Sequence, residues 1–285
     1  MSDLSVACNI NVEDVNKINT GLLVDRNKDG TIKSLKYPNV DRFMWEPTKS
    51  IDFYCGTTKK SVTCSSTTTA EDLKCTSTVK LDRSGGNKKC GKNNAGTLWN
   101  MGFKIGAQES LQLYQICFNM ETCSVLYTSH QLWGYTIPLQ VSKFGATMMP
   151  FACKGLTFGN FYRDTNRQTG IKSVKENPGK FYKRALMVPD QDFPVKTWRI
   201  PLNTYANGAP GWESIVSAPT GNWFQVQEKI KTLANFTGKI YDVHTGVFYR
   251  SEGQKEFLNA KEKAIEIPQW FWKVLIQDKS SIVFY

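Results

Sequence analysis

The sequence predicts an α+β fold in which a β-rich, disulfide-stapled N-terminal part precedes a mixed region of strands and helices. Three observations predict it. Segments of alternating apolar and polar residues fill the first half. One helical stripe, Trp223, Val226, Ile230 and Leu233, stands out in the second half and is followed by another strand pattern. All eight cysteines, Cys8, Cys55, Cys64, Cys75, Cys90, Cys117, Cys123 and Cys153, lie in the first 153 of 285 residues. Strands first and a strand–helix mixture afterwards is the order of an α+β chain. The expected division is 1–105 for the β-rich region and 106–285 for the α+β domain, which together can form one continuous unit.

The strands expected in the first half are Gly21–Asp25, Arg42–Glu46, Ile51–Cys55, Leu98–Ile105, Leu111–Asn119, Ser124–Leu132 and Tyr135–Val141. Pro47 is a natural stop for the second of them. Thr57–Asn94 is rich in Ser, Thr, Lys and Gly and reads mostly as loop, stapled by Cys64, Cys75 and Cys90. In the second half a helix is expected over Trp223–Asn235. Asn222 supplies an N-cap, Gln225 a capping-box partner and Gly238 a stop. A strand follows at Ile240–Phe248, a charged helix around Lys255–Lys263, and strands at Trp270–Gln277 and Ser281–Tyr285.

An even cysteine count without any C-x-x-C and with only two histidines, His130 and His244, argues for disulfides rather than zinc. Disulfides imply an oxidising, secretory environment, but the pairing stays open. The sequon Asn235-Phe236-Thr237 agrees with secretion. The opening Met1-Ser2-Asp3 is polar and reads as a mature chain carrying an initiator Met. No uninterrupted apolar run is long enough to span a membrane. The sequence does not determine an oligomeric state.

The formal charge is +11, so an anionic partner is expected. The excess is concentrated. Residues 151–200 hold ten basic and four acidic side chains, whereas 201–285 hold nine and eight. Lys154, Arg163, Arg167, Lys172, Lys175, Lys180, Lys183 and Arg184 are interleaved with Phe158, Phe161, Tyr162, Phe181 and Tyr182. Cations that neutralise phosphates release counterions, and aromatic rings stack on unpaired bases. A solvated lysine-rich loop over core aromatics is the alternative reading of the same stretch.

The segment 181–193, FYKRALMVPDQDF, narrows the choice. It resembles the active-site signature of the DNA/RNA non-specific endonucleases, the ββα-metal nucleases: Asp-Arg-Gly-His-Leu, one residue, Pro, two residues, Asp-Phe. Pro189 and Asp192-Phe193 fix the register, and Arg184 matches the arginine. Lys183 stands at the aspartate, Ala185 at the glycine and Leu186 at the histidine. Downstream, Asn207-Gly208-Ala209-Pro210-Gly211-Trp212 resembles the family's Asn-x-x-Pro-Gln-Trp. Gly221-Asn222-Trp223 resembles its Gly-Asn-Trp before a helix. Thr245-Gly246 and Pro268-Gln269-Trp270-Phe271-Trp272-Lys273 resemble two of its strands. Tyr114–Phe118 and Leu126–His130 resemble the secreted arthropod branch, which includes salivary nucleic-acid-binding proteins of blood-feeding flies.

The resemblance implies a mixed ββα-metal nuclease-like core and a mechanism. In the family the histidine activates water, an Asn holds a hydrated Mg²⁺, a Glu orients the metal's water shell and the arginine steadies phosphate charge. Here Leu186 replaces the base. The metal-binding Asn falls on Val216 counted from Trp212, or on Pro219 counted back from Trp223. Gln227 replaces the Glu, with Glu228 about 100° away around the helix. His130 and His244 read as structural. These departures lead to the expectation of a non-enzyme with no cofactor and a lost Mg²⁺ site. Such a protein would bind DNA and RNA without sequence preference through Asn207 and the basic residues 154–184, with no membrane contact. Two alternatives stay open: a weak metal-dependent nuclease using Glu228 or Asp192, and a binder of other polyanions such as heparin-like glycans.

Overall fold

The computed structural model describes residues 6–14, 22–26, 28, 32–36, 43–45, 50–55, 58–63, 70–75, 80–105, 109–132, 153, 182–193, 202, 204–216, 219–259 and 263–285. It is mostly sheet with few helices, which fits the α+β class expected. The chain divides into two units, Met1–Asp82 with Gly102–Leu111, and Arg83–Met101 with Gln112–Tyr285.

The first unit carries two sheets. In one, β1 (Val6–Asp14) lies between β4 (Phe43–Trp45), antiparallel, and β7 (Ala70–Cys75), parallel. In the other, the order is β3 (Ile32–Lys36), β2 (Leu22–Arg26), β5 (Ser50–Cys55), β6 (Thr58–Thr63). Strands therefore occupy much of the segment expected to be loop. β6, β7 and β8 (Lys80–Cys90) all fall in it. The reason is visible in the side chains: Lys59, Lys60 and Ser61 of β6 and Arg83, Lys88 and Lys89 of β8 are exposed. A strand with a solvated face takes Ser, Thr and Lys without loss, and its polarity conceals its pairing from a hydropathy reading.

The second unit holds the larger part of a seven-stranded sheet, with residues 80–82, 102–105 and 109–111 of its strands counted in the first unit. The sheet's order is β18 (Ser280–Phe284), β17 (Trp270–Gln277), β14 (Tyr241–Phe248), β11 (Ser124–Leu132), β10 (Glu109–Asn119), β9 (Gly96–Ile105), β8. The alternation that predicted these strands is the alternation that buries them: Tyr241 and Val243 point into the core while Asp242 is exposed. Disulfides Cys90–Cys117 and Cys123–Cys153 lie in this unit. The expected strand Tyr135–Val141 lies outside the described residues.

Two helices follow β13 (Gly208–Trp212), the short α1 (Glu213–Val216) and α2 (Asn222–Thr237). The expected stripe is the packing face of α2. Ile230 and Ala234 are buried with Leu132, Tyr241, Val243 and Leu275 of the sheet, flanked by Val226 and Leu233. Leu132, Ile230, Val243 and Leu275 each contribute about 1.5–3 kcal/mol by leaving water. The helix stops at Gly238, whose φ is 64 and whose N–H returns to the Ala234 carbonyl. The start differs from expectation. The N-cap is Gly221, without a side-chain cap, and Asn222 is already helical. A Cβ at 221 would meet the backbone oxygens of Ile215 at 2.4 Å and Ser214 at 2.5 Å, so the close approach to α1 sets the boundary.

The charged segment expected as a helix around Lys255–Lys263 instead carries the hairpin strands β15 (Phe257–Asn259) and β16 (Ala264–Glu266). Long-range partners decide this. The N–H of Ile265 donates to the Thr122 carbonyl at 2.7 Å and that of Glu266 to Ser124 Oγ at 2.8 Å. Leu258, Ala264 and Ile265 are buried. Among the described residues no helix is long and apolar enough to cross a membrane.

Candidate functional site

The motif segment folds as β12 (Tyr182–Leu186), antiparallel to β13, with Tyr182 opposite Trp212, Lys183 opposite Gly211, Arg184 opposite Pro210 and Leu186 opposite Gly208. Ala185 and Ala209 face each other across the ribbon and are buried. Small residues there let the ribbon lie against the interior. Alternation then puts Tyr182, Arg184 and Leu186 on the other face.

Arg184 is half-buried. Its stem crosses Gly208, where a Cβ would stand 2.3 Å from Arg184 Cγ. Its Nη1 donates to the Thr204 carbonyl at 3.4 Å. The guanidinium is thus held by its stem and one N–H. Lys183 is its neighbour on β12 and is also half-buried.

Asn207 is fully buried and works on the backbone of the motif. Its Oδ1 accepts from the Val188 N–H at 2.8 Å, and its Nδ2 donates to the carbonyls of Val188 at 2.9 Å and Leu202 at 3.1 Å. Its own carbonyl accepts from Met187 at 3.3 Å. Sequence reasoning set Asn207 against nucleic acid; the structure makes it the clamp that closes the turn after β12.

Of the positions aligned with the family's catalytic groups, Leu186 and Gln227 meet. Gln227 Nε2 donates to the Leu186 carbonyl at 3.4 Å. Val216 lies instead at the end of α1 near Gly211, and Pro219 is exposed in the turn before α2. Glu228 is half-buried on α2. Lys154, Arg163, Arg167, Lys172, Lys175 and Lys180 lie outside the described residues.

The far end of the motif enters a buried polar cluster. Asp192, in a 3-10 turn at Asp190–Asp192, receives His130 of β11 through Nε2 at 2.8 Å and faces Lys273 of β17 at 3.7 Å. All three are buried. Burial would raise the Asp192 carboxyl, but Lys273 and His130 together hold it below its usual value. Burial pushes the His130 imidazole below its ordinary value, against the pull of Asp192. Burial also lowers Lys273, with Asp192 opposing. The consistent state is a Lys273⁺–Asp192⁻ pair with a neutral His130 donating its Nε2 proton, since a carboxylate can only accept. Enclosed on all sides, the cluster anchors the 187–193 turn to the sheet, and Asp192 is not at the surface where a substrate or metal would need it.

Sequence reasoning read His130 as structural and offered Asp192 for a metal in the alternative nuclease reading, but did not join the two to Lys273. The cluster's three members nonetheless all lie in segments that carry the family resemblance: His130 in Leu126–His130, Asp192 in Asp-Phe, and Lys273 in Phe-Trp-Lys. That shared placement was the available signal.

Residues 94–282 match the model of the DNA/RNA non-specific endonuclease family. The chain is 28% identical over 273 residues to a salivary endonuclease of Culex quinquefasciatus, covering 95% of this chain and 71% of that protein. It is 23% identical to a salivary endonuclease of Lutzomyia longipalpis, covering 90% and 65%. It is 24% identical to salivary protein Tsal2A of Glossina morsitans morsitans, covering 75% and 57%. The chain thus spans a little over half to about seven tenths of these relatives' lengths.

These matches correct two expectations. Leu186, Val216, Pro219 and Gln227 suggested a non-enzyme without a cofactor. A match to an endonuclease family and relatives named endonucleases point instead to an enzyme. With it comes the Mg²⁺ on which the family normally depends. The expectation of a non-enzyme assumed that catalysis needs particular side chains at a few aligned positions, and position by itself does not fix which groups carry it. Near Leu186 the described donors do not fit Mg²⁺. Leu186 has none, and Asn207 has both its amide protons and its oxygen engaged with backbone. Gln227 alone does not compose an octahedral oxygen shell. No three His, Cys, Asp or Glu side chains cluster among the described residues. The ion is therefore not assigned to these side chains.

Proposed function

The chain belongs to the DNA/RNA non-specific endonuclease family, and on that premise we propose that it is a secreted enzyme acting on DNA and RNA, which it grips by the sugar–phosphate backbone without regard to sequence. The observation that carries the reading is Arg184. Its stem is fixed over Gly208 and one N–H is engaged with Thr204, so the guanidinium is pre-oriented to form a bidentate pair with a phosphate. Lys183, next in sequence but on the opposite face of β12, adds to the positive charge of the ribbon without adding base recognition. Leu186 bears no proton acceptor, so the attacking water gives its proton to a group other than residue 186. Disulfides and the salivary relatives support secretion.

The test is incubation of the full chain with labelled single- and double-stranded DNA and RNA in Mg²⁺, Mn²⁺ or Ca²⁺. Cleavage without sequence preference is expected. Intact substrates under every condition overturn the enzymatic reading. Binding measured alongside should weaken with salt. If about four to six of the cations between Lys154 and Arg184 engage phosphates, the slope of log K against log[salt] is roughly −4 to −5.

A further inference from the structure

Beside Arg184 on the same ribbon lies a cleft of about 410 Å³ walled by Tyr182, Trp212, Trp223, Trp270 and Phe271. From it we infer that the protein has a subsite for one unpaired nucleobase, and that strands with unstacked bases are therefore preferred over intact duplex. This rests on the nucleic-acid reading above and deepens it.

The walls are flat and ordered. Tyr182 and Trp212, partners across β12 and β13, stack with centroids 4.0 Å apart and planes 20° apart. Trp223 and Phe271 meet at 5.1 Å. Trp270 stands at the rim with 60% of its surface open. Stacking on such rings is the sequence-tolerant way to hold a base, since every base has a π-face.

A second feature concerns the charge of the occupant. At the cleft's edge Arg250 and Glu256 form an ion pair, offering donors and acceptors together with no net charge. That balance suits a neutral base and disfavours a phosphate or a sulfated sugar. Placement agrees as well. Tyr182 and Arg184 are two residues apart on one strand face, about 7 Å, so a phosphate on Arg184 leaves its own nucleotide within reach of the rings.

The experiment compares a single-stranded oligodeoxyadenylate with an abasic strand of equal length and charge, using the full chain and the variants Trp270→Ala and Trp223→Phe. Trp270 is exposed, so its loss spares the core, and Trp223→Phe keeps an aromatic wall while reducing its stacking area. The base-bearing strand should bind roughly 5- to 100-fold more tightly than the abasic one. Trp270→Ala should remove most of that gap and Trp223→Phe part of it, with abasic binding unchanged. Equal affinity for the two strands overturns the subsite, as does a gap that neither variant alters. Adenosine titrated against intrinsic fluorescence keeps the premise separate. If neither strand binds, the backbone reading fails. Quenching by adenosine that Trp270→Ala abolishes then still upholds the cleft, and no quenching overturns it too.

Discussion

Arg184 and Asp192 sit eight positions apart in one motif, yet they end in opposite environments. Arg184 lies half-buried over a glycine with one N–H engaged. Asp192 is enclosed with His130 and Lys273 and reaches no solvent. One end of the motif leaves its charge partly open to solvent, and the other pairs its charge internally and holds the turn in place. Between them Asn207 clamps the backbone of Val188. Charge in a motif is therefore not in itself a sign that the residue touches substrate. Solvent access separates a binding group from an anchoring one.

The buried end should give the largest effects. Asp192→Asn leaves Lys273 as an uncompensated buried cation and should cost about 3–5 kcal/mol in urea unfolding. A loss below about 1 kcal/mol would show that the pair contributes little to the anchor.

The same cluster sets a pH dependence. The folded imidazole of His130 is held below its unfolded value near 6.5. Below that pH the unfolded chain takes up a proton that the folded chain resists, so stability is present above it and declines as pH falls. Asp192, also lowered, keeps its contribution above the ordinary carboxylate value and loses it as pH drops through the folded value. Urea midpoints followed from pH 8 downward should fall in two stages. His130→Gln should erase the first; persistence of that stage in the variant would assign it to another group.

At the open end the effect should be on binding rather than stability. Arg184→Ala and Lys183→Ala should each weaken every DNA and RNA alike and flatten the salt slope by about one unit for each phosphate no longer neutralised. Thermal unfolding should move little for Lys183→Ala. A change in sequence preference, or an unaltered slope in both variants, would break the contrast between the two ends. The smallest effect is expected for Lys263→Gln, exposed beside β16. Its slope should match that of the parent chain.

Where local pattern and long-range demand agree, the sequence was readable. Ser124–Leu132 folds as the strand its alternation describes, and the stripe from Trp223 to Leu233 is the packing face of α2. Where partners come from far away, local reading failed. Helix-like charge at Lys255–Lys263 yielded to bonds from the N–H groups of Ile265 and Glu266 to the Thr122 carbonyl and Ser124 Oγ, more than a hundred residues earlier. The cap expected at Asn222 moved to Gly221 because α1 passes too close for a Cβ.

By itself the sequence determined the class of fold, the main helix, most strands of the large sheet, the excess of positive charge and the family resemblance. Each of these depends on composition, period or a contiguous motif. Tertiary structure alone decided that Asn207 is a clamp, that Asp192 is neutralised by His130 and Lys273, and that aromatic rings remote in sequence surround one cleft. The cleft's rings come from three strands, β12, β13 and β17, and from the helix α2, and all these outcomes depend on burial and on distances between residues remote in the chain. Burial sets the cost of a charge and the need for its partner, and no local pattern encodes it.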